Sequence, residues 1–545
     1  MIGERTAANL IALAFLVLFA AFLVAPLGVL GAQALHVGPG EAPLANFARY
    51  LAAPGLLRAL VNTGGLALAV TAAVLPLAFL MAYALERTNL KLKGLLAALS
   101  SAPLLVPSLL PALALVYLFG AKGLLTPVFG GKTIYGAQGV FLADAVAFFP
   151  QAVVLLRTAL SAADGRLSEQ AEILGAGTWR TFWRVTLPGA RHGLVAAAVV
   201  VFSLVIADVG APKVVGGDFD VLALEIYKQV LGQQNFPLGA VASLFILAPS
   251  LIAVVIERAA ARRQAALVSS KSQPYRPRPD LKRDLAIGAG AFSLAALIVG
   301  VIAVCQLAAV VRLWPYDLSF SLQHYDFDQF DGGGWSAVTN SIVLGLSVAG
   351  IGVALAFLGA YVSERTPASA PLRLALSSLA LLPAGVPGLA LGLSYALAFN
   401  DPANPLHVIY GTFGILIVVT VIHFYAVPHL SSVSALKALD REFEPAGAVL
   451  GRSRFVVLAR VLAPLSAPAL VEIAAYLFVN AMTTVSAVVF LYPPDVKLAS
   501  VAVLNMDDAG DIAPAAAMGM MIFYVNLAAR LIAVGVGAVL RGPRA

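Results

Sequence analysis

One sequence pattern occurs twice in this 545-residue chain, in the same direction and at nearly constant spacing. Residues 62–88 align without a gap on residues 340–366, and both segments share the first Asn, an Ala-Tyr pair and a closing Glu-Arg-Thr. Further on, the pair Leu174-Gly175 recurs as Leu450-Gly451. Because each copy is far longer than a solenoid repeat, the pattern predicts two similar domains related by a pseudo-two-fold axis.

Composition predicts that both domains lie in a membrane. Hydrophobic residues make up 60% of the chain and charged residues only 12%, against about 25% charged in soluble domains. A bilayer core requires about 20 mostly apolar residues per helix, and continuous apolar runs exclude the alternating pattern of barrel strands. The sequence therefore predicts an all-α polytopic membrane protein of about twelve transmembrane helices, in two pseudo-two-fold-related six-helix domains. The predicted spans are 8–30, 62–85, 94–119, 136–160, 193–210, 238–256, 285–311, 340–362, 372–399, 406–430, 469–491 and 512–540.

A polar, basic stretch separates the two copies. It predicts domains at residues 1–258 and 285–545, joined by a solvated linker at 259–284 that lets the halves fold as separate bundles. Basic residues in the linker and acidic residues in the loops after spans seven and eleven place both termini in the cytoplasm. This asymmetry accounts for the net charge of +7 without a nucleic-acid partner. The single cysteine, Cys305, excludes an internal disulfide.

Two long cytoplasmic segments, residues 161–192 and 437–468, predict a docking element in each half. Each reads as a short amphipathic helix, a Gly turn, and a second short helix stopped by a Pro. Small residues at the turn permit close approach, and the following apolar residues can occupy a groove on another protein. An amphipathic helix lying in the lipid headgroups is the alternative for either segment alone. Two copies at matched spacing favour docking.

The two segments resemble the E-A-A-x-x-x-G loop, with its R-V-x-L-P ending, of the permease subunits of binding-protein-dependent ABC importers. The resemblance covers both halves and is to the group with two fused permease units that serves ferric iron, thiamine and 2-aminoethylphosphonate. It implies that the loops couple the chain to a homodimer of ATPase subunits on the cytoplasmic face. The coupling residues that it implies are Glu169, Ala171, Gly175, Pro188, Glu444, Ala446, Gly451 and Pro464, of which Glu444 lies one residue before the matching position. Pro445 departs from the pattern because it aligns with Glu169, so the second loop is expected to dock differently or more weakly.

The resemblance also implies the function of the chain. We expect a permease of the bacterial inner membrane that receives a solute from a periplasmic binding protein and is not itself an enzyme. ATP and magnesium are expected in the partner subunits, with no cofactor on this chain. Residues 483–514 are most similar to 2-aminoethylphosphonate permeases, which makes a phosphonate the expected solute, with iron(III) or thiamine as the alternative.

Polar residues near the ends of spans five and eleven are candidates for the passage. Counted from the repeated Arg-Val pair, Asp208 corresponds to Thr484 and Gly210 to Ser486, with Thr483 adjacent. Polar side chains are tolerated in a membrane where helices line a water-filled cavity, but Asp208 alone could equally be a carboxylate at a helix end. The acidic residues 507–511 are interpreted as a solvated turn and cap rather than as a metal site.

Two further features admit two interpretations. The Pro pairs at 107/111 and 383/387 predict kinks, or broken helices of the kind found in transporter cores. His423 and His429 are interpreted as ordinary buried or interfacial histidines, since no acidic residue is adjacent.

Two other classes of function remain as alternatives to the importer permease. One is an ion-coupled secondary transporter, which would not require docking loops, and the other is a membrane-embedded enzyme or scaffold.

Overall fold

The computed structural model describes residues 2–266, 273, 275 and 277–541. The predicted linker 259–284 therefore lies partly outside the described residues. Within the described part, the helix of span six continues to Ala266 and the next helix begins at Leu281.

The first half consists of helices of very different lengths. In order they are α1 (Ile2–Phe19), α2 (Ala25–Ala34), α3 (Ala45–Ala52), α4 (Pro54–Arg87), α5 (Lys93–Ser100), α6 (Leu109–Phe119), α7 (Ala137–Ala162), α8 (Gly165–Ile173), α9 (Thr178–Thr181), α10 (Leu187–Gly189), α11 (Arg191–Ala207), α12 (Gly210–Val215), α13 (Leu222–Tyr227) and α14 (Phe236–Ala266). A π-helical turn, Ala20–Val24, joins α1 to α2.

The second half follows the same order with fewer short helices and one β-hairpin. Its elements are α15 (Leu281–Val310), β1 (Val311–Leu313), β2 (Asp317–Phe320), α16 (Gly334–Arg365), α17 (Ala370–Leu379), α18 (Gly388–Phe399), α19 (Phe413–Phe424), α20 (Ala426–Lys437), α21 (Phe443–Val449), α22 (Arg454–Val457), α23 (Ala463–Thr483), α24 (Ala499–Asp508) and α25 (Ile512–Arg541).

Long apolar helices confirm the predicted membrane fold. Among the described residues, eight helices are long and apolar enough to cross a membrane, and the number is up to eleven if three bent helix pairs each count as one span. The shorter apolar helix α6 occupies the remaining predicted run, 94–119. A helical fold satisfies the backbone hydrogen bonds within each segment, which a lipid environment requires.

Three local predictions are wrong. Spans five and eleven were predicted to continue to 210 and 491, but α11 ends at Ala207 and α23 ends at Thr483. Each helix ends because the next residue, Asp208 or Thr484, adopts an extended backbone conformation. Strands were not expected, yet β1 and β2 pair antiparallel in the loop after span seven.

The repeat is visible in matched hydrogen bonds. Thr63 Oγ1 on α4 accepts from Leu222 N at 2.8 Å, and Ser341 Oγ on α16 accepts from Ala499 N at 2.8 Å. The preceding residues also correspond, since Asn62 Nδ2 donates to Asp220 O at 2.9 Å and Asn340 Nδ2 donates to Lys497 O at 3.1 Å. In both halves, therefore, the same polar pair on the second span holds the segment that precedes the last span.

The first span of each half packs against the opposite half. Helix α1, the π-helical turn Ala20–Val24 and α2 contact α16 to α19, where Asn9 Oδ1 accepts from Ser369 N at 2.8 Å and the Tyr395 hydroxyl donates to Phe22 O. Helix α15 packs against α4, α5 and α6, where Cys305 Sγ donates to Leu110 O at 3.3 Å. The two bundles are thus interlocked, whereas the linker composition alone suggested halves that fold separately.

Candidate coupling and passage sites

The first predicted docking segment ends its short helix in a left-handed glycine turn. Helix α8 is followed by Gly175 with φ of +77°. Ala176 N donates to Ala171 O at 2.9 Å and Gly175 N donates to Glu172 O at 2.9 Å, which is the Schellman pattern of a helix C-terminus. Glycine is suited to this position because it lacks the Cβ atom that opposes a positive φ.

The second segment has the same turn. Helix α21 is followed by Gly451 with φ of +69°. Arg452 N donates to Gly447 O at 2.8 Å and Gly451 N donates to Ala448 O at 3.0 Å. The two turns are therefore equivalent in backbone geometry although their sequences differ at most positions.

Each turn carries two apolar side chains in solvent, which we call the apolar tips. Ile173 and Leu174 are 84% and 85% exposed, and Val449 and Leu450 are 88% and 76% exposed. Large apolar residues this exposed, at equivalent positions of a repeat, are typical of a surface that binds another protein.

In the second half the chain after the turn remains helical through Pro464 to Thr483, so the prediction of a helix stopped by Pro is wrong there. In the first half the helix ends at Gly189, one residue after Pro188. Matched π-helical turns, Phe182–Thr186 and Leu458–Leu462, precede Pro188 and Pro464. Each Pro then occupies the beginning of the next helix, α10 or α23. A π-turn changes the hydrogen-bond register of the helix. A Pro in the first turn of a helix costs no hydrogen bond, because the backbone N–H that it lacks would have no partner within the helix at that position.

The other residues of the predicted docking motif differ in exposure. Glu169 and Ala446 are exposed, and Ala171 is half-buried. Glu444, in contrast, is buried: its Oε2 lies 3.1 Å from Nη1 of Arg365, which is also buried, at the end of α16. Glu444 therefore fixes α21 to α16 and does not present its carboxylate on the predicted docking surface.

In the first half, Asp208 joins two breaks in the helices. Its carboxylate accepts from Ser108 Oγ at 2.6 Å and from Ala211 N at 2.8 Å, so it caps the start of α12 and binds the residue before α6. Gly210 lies so close to the same break that a Cβ there would be 2.5 Å from Ser108 Oγ. Asp208 is 9% exposed.

The second half makes the equivalent junction without a carboxylate. Thr484 is buried, and its carbonyl accepts from Ser500 Oγ at 2.6 Å. Ser486 lies against Gly388, the first residue of α18, so closely that a Cβ on the glycine would overlap the Ser486 hydroxyl. Thr483 bonds back to Val479 O at 3.0 Å within its own helix. The predicted passage residues thus lie at two equivalent junctions between spans three and five and between spans nine and eleven.

Sequence reasoning missed a second carboxylate in the first half. Asp144, on α7, is fully buried, and neither of its carboxylate oxygens has a hydrogen-bond partner among the described residues. It interacts electrostatically with Asp208. Helix α7 packs against α6, α11 and α12, the helices that flank the Asp208 junction. A charged residue inside the apolar run 136–160 was the sequence feature that could have revealed it.

The Pro pairs mark breaks and not simple kinks. In the second half, the segment Ala370–Gly385 meets Gly388–Phe399 at an angle of 109°. In the first half, a 3-10 turn, Ala102–Leu105, is separated from α6 by non-helical residues that include Pro107. A span from the opposite half closes each break: Arg258 Nη2 donates to Leu381 O at 2.8 Å, and Asn526 Nδ2 donates to Leu105 O at 2.9 Å.

No cluster of three or more His, Cys, Asp or Glu residues suited to a metal ion occurs in the described part of the chain. Asp507 and Asp508 lie at the end of α24 rather than in a turn. Asp508 Oδ1 is 2.8 Å from Lys213 Nζ of the first half. His429 is buried and packs against Tyr425 with 5.6 Å between ring centroids.

Comparison with known proteins identifies part of the chain. Residues 74–266 match the family model described as "Binding-protein-dependent transport system inner membrane component". This region is therefore similar to the permease domains of binding-protein-dependent transport systems. The chain is therefore a multi-pass protein of the inner membrane, as its long apolar helices also indicate.

Three relatives indicate the extent of the similarity. The ferric transport system permease protein FbpB of Actinobacillus pleuropneumoniae is 29% identical over 78% of this chain and 63% of that protein. FbpB 1 of Haemophilus influenzae, also named for ferric transport, is 28% identical over 73% of this chain and 64% of that protein. PhnU of Salmonella typhi, named for 2-aminoethylphosphonate transport, is 27% identical over 50% of this chain and 97% of that protein. The chain thus spans less than two thirds of the length of the two ferric relatives.

Proposed function

We propose that this chain is the permease of an ATP-driven importer and that it forms both halves of a passage for ferric iron. A periplasmic binding protein delivers the iron, and a pair of ATPase subunits binds the two predicted docking segments, 161–192 and 437–468, on the cytoplasmic face. We call these the coupling segments. ATP and magnesium belong to those subunits. The chain itself performs no chemical step.

The extent of the sequence similarity carries the choice of solute. The two relatives named for ferric transport align over 78% and 73% of this chain, which requires both halves to match. The relative named for 2-aminoethylphosphonate transport aligns over only 50%. The comparisons therefore favour the iron alternative over the phosphonate that residues 483–514 suggested.

The chemistry of the first half also supports iron. Ferric iron is a hard cation that prefers oxygen ligands. Considered alone, Asp208 and Thr484 supply too few of them, but Asp144 adds a second carboxylate and Ser108 a hydroxyl near the same junction. Oxygen donors buried among broken helices suit a cation that is bound briefly during passage.

The apolar tips support the proposed coupling. Two exposed apolar pairs at equivalent positions suit two equivalent grooves on a pair of ATPase subunits. Closure of the ATPase pair on ATP would draw the two coupling segments together, and the α10–α11 junction, bent by 63°, links the first segment directly to the Asp208 junction. Movement of the tips would thereby change which side of the membrane the passage faces.

Uptake of labelled solute tests the proposal. Cells that carry the chain with its cognate ATPase and binding protein should accumulate radioactive iron(III) supplied as ferric citrate, and should not accumulate labelled 2-aminoethylphosphonate or thiamine. Leu174→Asp with Leu450→Asp should abolish uptake, because charges on the apolar tips prevent docking. Leu124→Asp is a matched control, an exposed leucine outside the coupling segments.

Each result has a definite meaning. Uptake of the phosphonate without iron would overturn the choice of solute while leaving the importer intact. Uptake that continues without the ATPase, or that survives the double tip substitution, would instead support an ion-coupled transporter.

A further inference from the structure

The two coupling segments are held in different ways, although their turns are equivalent. In the second half, the guanidinium of Arg365 at the end of α16 bonds to the Glu444 carboxylate and to the carbonyls of Leu436, Leu439 and Asp440. The ion pair is almost completely removed from solvent, with the two side chains 4% and 3% exposed. This arrangement fixes the start of α21 to the end of α16.

The first half lacks this ion pair. Arg87 occupies the position of Arg365 and is buried, but Ser168 occupies the position of Glu444. Arg87 Nη2 donates to Leu160 O at 3.0 Å, while its Nε and Nη1 have no hydrogen-bond partner among the described residues. A buried guanidinium without a carboxylate requires another source of stabilisation.

A residue from the segment between the halves supplies that stabilisation. The guanidinium carbon of Arg87 lies 4.4 Å from the ring centroid of Tyr275, which is the geometry of a cation–π contact. Such contacts are stronger where the cation is removed from water, as Arg87 is.

The same segment also bonds to the start of α8. Gly165 N donates to Gln273 O at 2.9 Å, and Gln273 N donates to Asp164 Oδ1 at 3.3 Å. The approach is so close that a Cβ on Gly165 would lie 2.8 Å from Tyr275 Cα. Farther along, Arg278 Nη1 lies 2.7 Å from Glu172 Oε2 near the end of α8.

We propose that Gln273, Tyr275 and Arg278 form a brace that positions the first coupling segment, with Tyr275 in the role that Glu444 has in the second. The proposal rests on the coupling function proposed above. Its physical basis is that one segment of this chain contacts α8 at its start, near its end and at the arginine behind it. The linker is then a working part of the coupling apparatus as well as a connection between domains.

A spin label on each apolar tip tests the brace without cargo or ATPase. Labels at Leu174→Cys or Leu450→Cys, in a Cys305→Ser background, report the mobility of each tip by electron paramagnetic resonance in the full chain. Tyr275→Ala should increase the mobility of the label at position 174 and leave that at position 450 unchanged. Glu444→Gln is the matched control, which should increase the mobility of the label at position 450 and leave that at position 174 unchanged.

Two further variants separate positioning from general damage. Tyr275→Phe retains the ring over Arg87 and should behave as the unmodified chain. Ser168→Glu introduces the carboxylate that the second half has, and should restore the rigidity of the tip in the Tyr275→Ala chain. Gly165→Ala should release the segment by steric overlap, whereas Gly94→Ala, where a Cβ meets no atom within 4 Å, should not.

Transport then measures the consequence. In proteoliposomes with the ATPase and binding protein, Tyr275→Ala should lower iron uptake per ATP hydrolysed about fivefold, as expected for loss of one desolvated cation–π contact. An unchanged label at position 174, or unchanged uptake per ATP despite a mobile tip, would overturn the proposal. Failure of the unmodified complex to transport iron would count against the proposed solute only, because the spin-label result does not depend on it.

Discussion

Gly175 and Gly451 each hold the left-handed conformation that ends a short coupling helix. A Cβ at either position would meet no atom within 4 Å, so the backbone angle and not the available space selects glycine. For other L-residues this conformation costs about 1 to 2 kcal/mol, whereas Asn tolerates it. The angle of each apolar tip therefore depends on one residue.

Gly175→Arg and Gly451→Arg should each reduce uptake, since the turn is strained and a bulky charge is placed beside the tip. We expect the first substitution to be the more damaging, because the second segment already departs from the docking pattern at Pro445. Gly175→Asn and Gly451→Asn serve as controls and should retain most activity. Normal uptake by both Arg variants, with the ATPase still bound, would show that these turns are not the docking sites.

Glu444 and Arg365 form a buried ion pair whose loss should destabilise the protein. Glu444→Ala leaves an uncompensated buried guanidinium, and we expect a loss of about 3 to 5 kcal/mol. The double variant Arg365→Met with Glu444→Leu should recover much of that loss, since it removes both charges. Ser168→Ala, at the equivalent position of the first half, is the control. Thermal unfolding in detergent provides the measurement, and equal midpoints for Glu444→Ala and Ser168→Ala would contradict the prediction.

Asp507, at the end of α24, should make stability depend on pH. Burial and the neighbouring charge of Asp508 raise the pKa of Asp507 to about 6, although the ammonium of Lys213 acts in the opposite direction. Because this pKa lies above the unfolded value of about 3.9, folding favours the neutral acid, and its contribution to stability is lost as pH rises through about 6. The unfolding midpoint should therefore decrease as the pH is raised from about 4 to about 6. Asp507→Asn should remove this fall, and an identical pH profile for the variant would exclude Asp507 as its origin.

Among the elements, the breaks were harder to predict than the spans. Apolar runs located the long helices, because a membrane imposes the same length and composition on each. The pair Pro383 and Pro387 is compatible with a kink or a break, and only packing against Arg258 of another span decides between them. Sequence reasoning missed Asp144 for a related reason, because its candidate role depends on its proximity to Asp208, which lies on a different helix.

The coupling segments also combine features that the sequence predicted with features that it did not predict. The glycine turns and their spacing were predictable from the repeat, because backbone geometry selects the residue. The burial of Glu444 was not, since its partner Arg365 precedes it by 79 residues.

Two substitutions can separate a structural role of the Asp208 junction from a role in transport. Asp208→Asn removes the charge but keeps an acceptor for Ala211 N, while Ser108→Ala removes the hydroxyl and keeps the charge. If the carboxylate acts on the solute, Asp208→Asn should reduce iron uptake much more than Ser108→Ala at equal thermal stability. Equal effects of the two variants on uptake and stability would leave Asp208 as a helix-end cap.

For the whole molecule, the charge asymmetry predicts the direction of insertion, which can be tested at two exposed positions. Single cysteines at Lys91, in the basic turn after α4, and at Ser319, in strand β2, should react from opposite sides in a Cys305→Ser background. Only the cysteine at position 319 should react with an impermeant maleimide in spheroplasts, and reaction at both positions would invalidate the proposed orientation.

The exchange of first spans has a consequence for synthesis of the protein. Asn9 bonds to Ser369, 360 residues later in the chain. At about 5 to 20 residues per second, a ribosome needs roughly 20 to 70 seconds to make that interval. During this time α1 and α2 are in the lipid without their partners from the second half, and the first half cannot reach its final packing until the second is partly inserted. A nascent chain stalled before residue 369 should therefore be a better substrate for membrane proteases than the completed one.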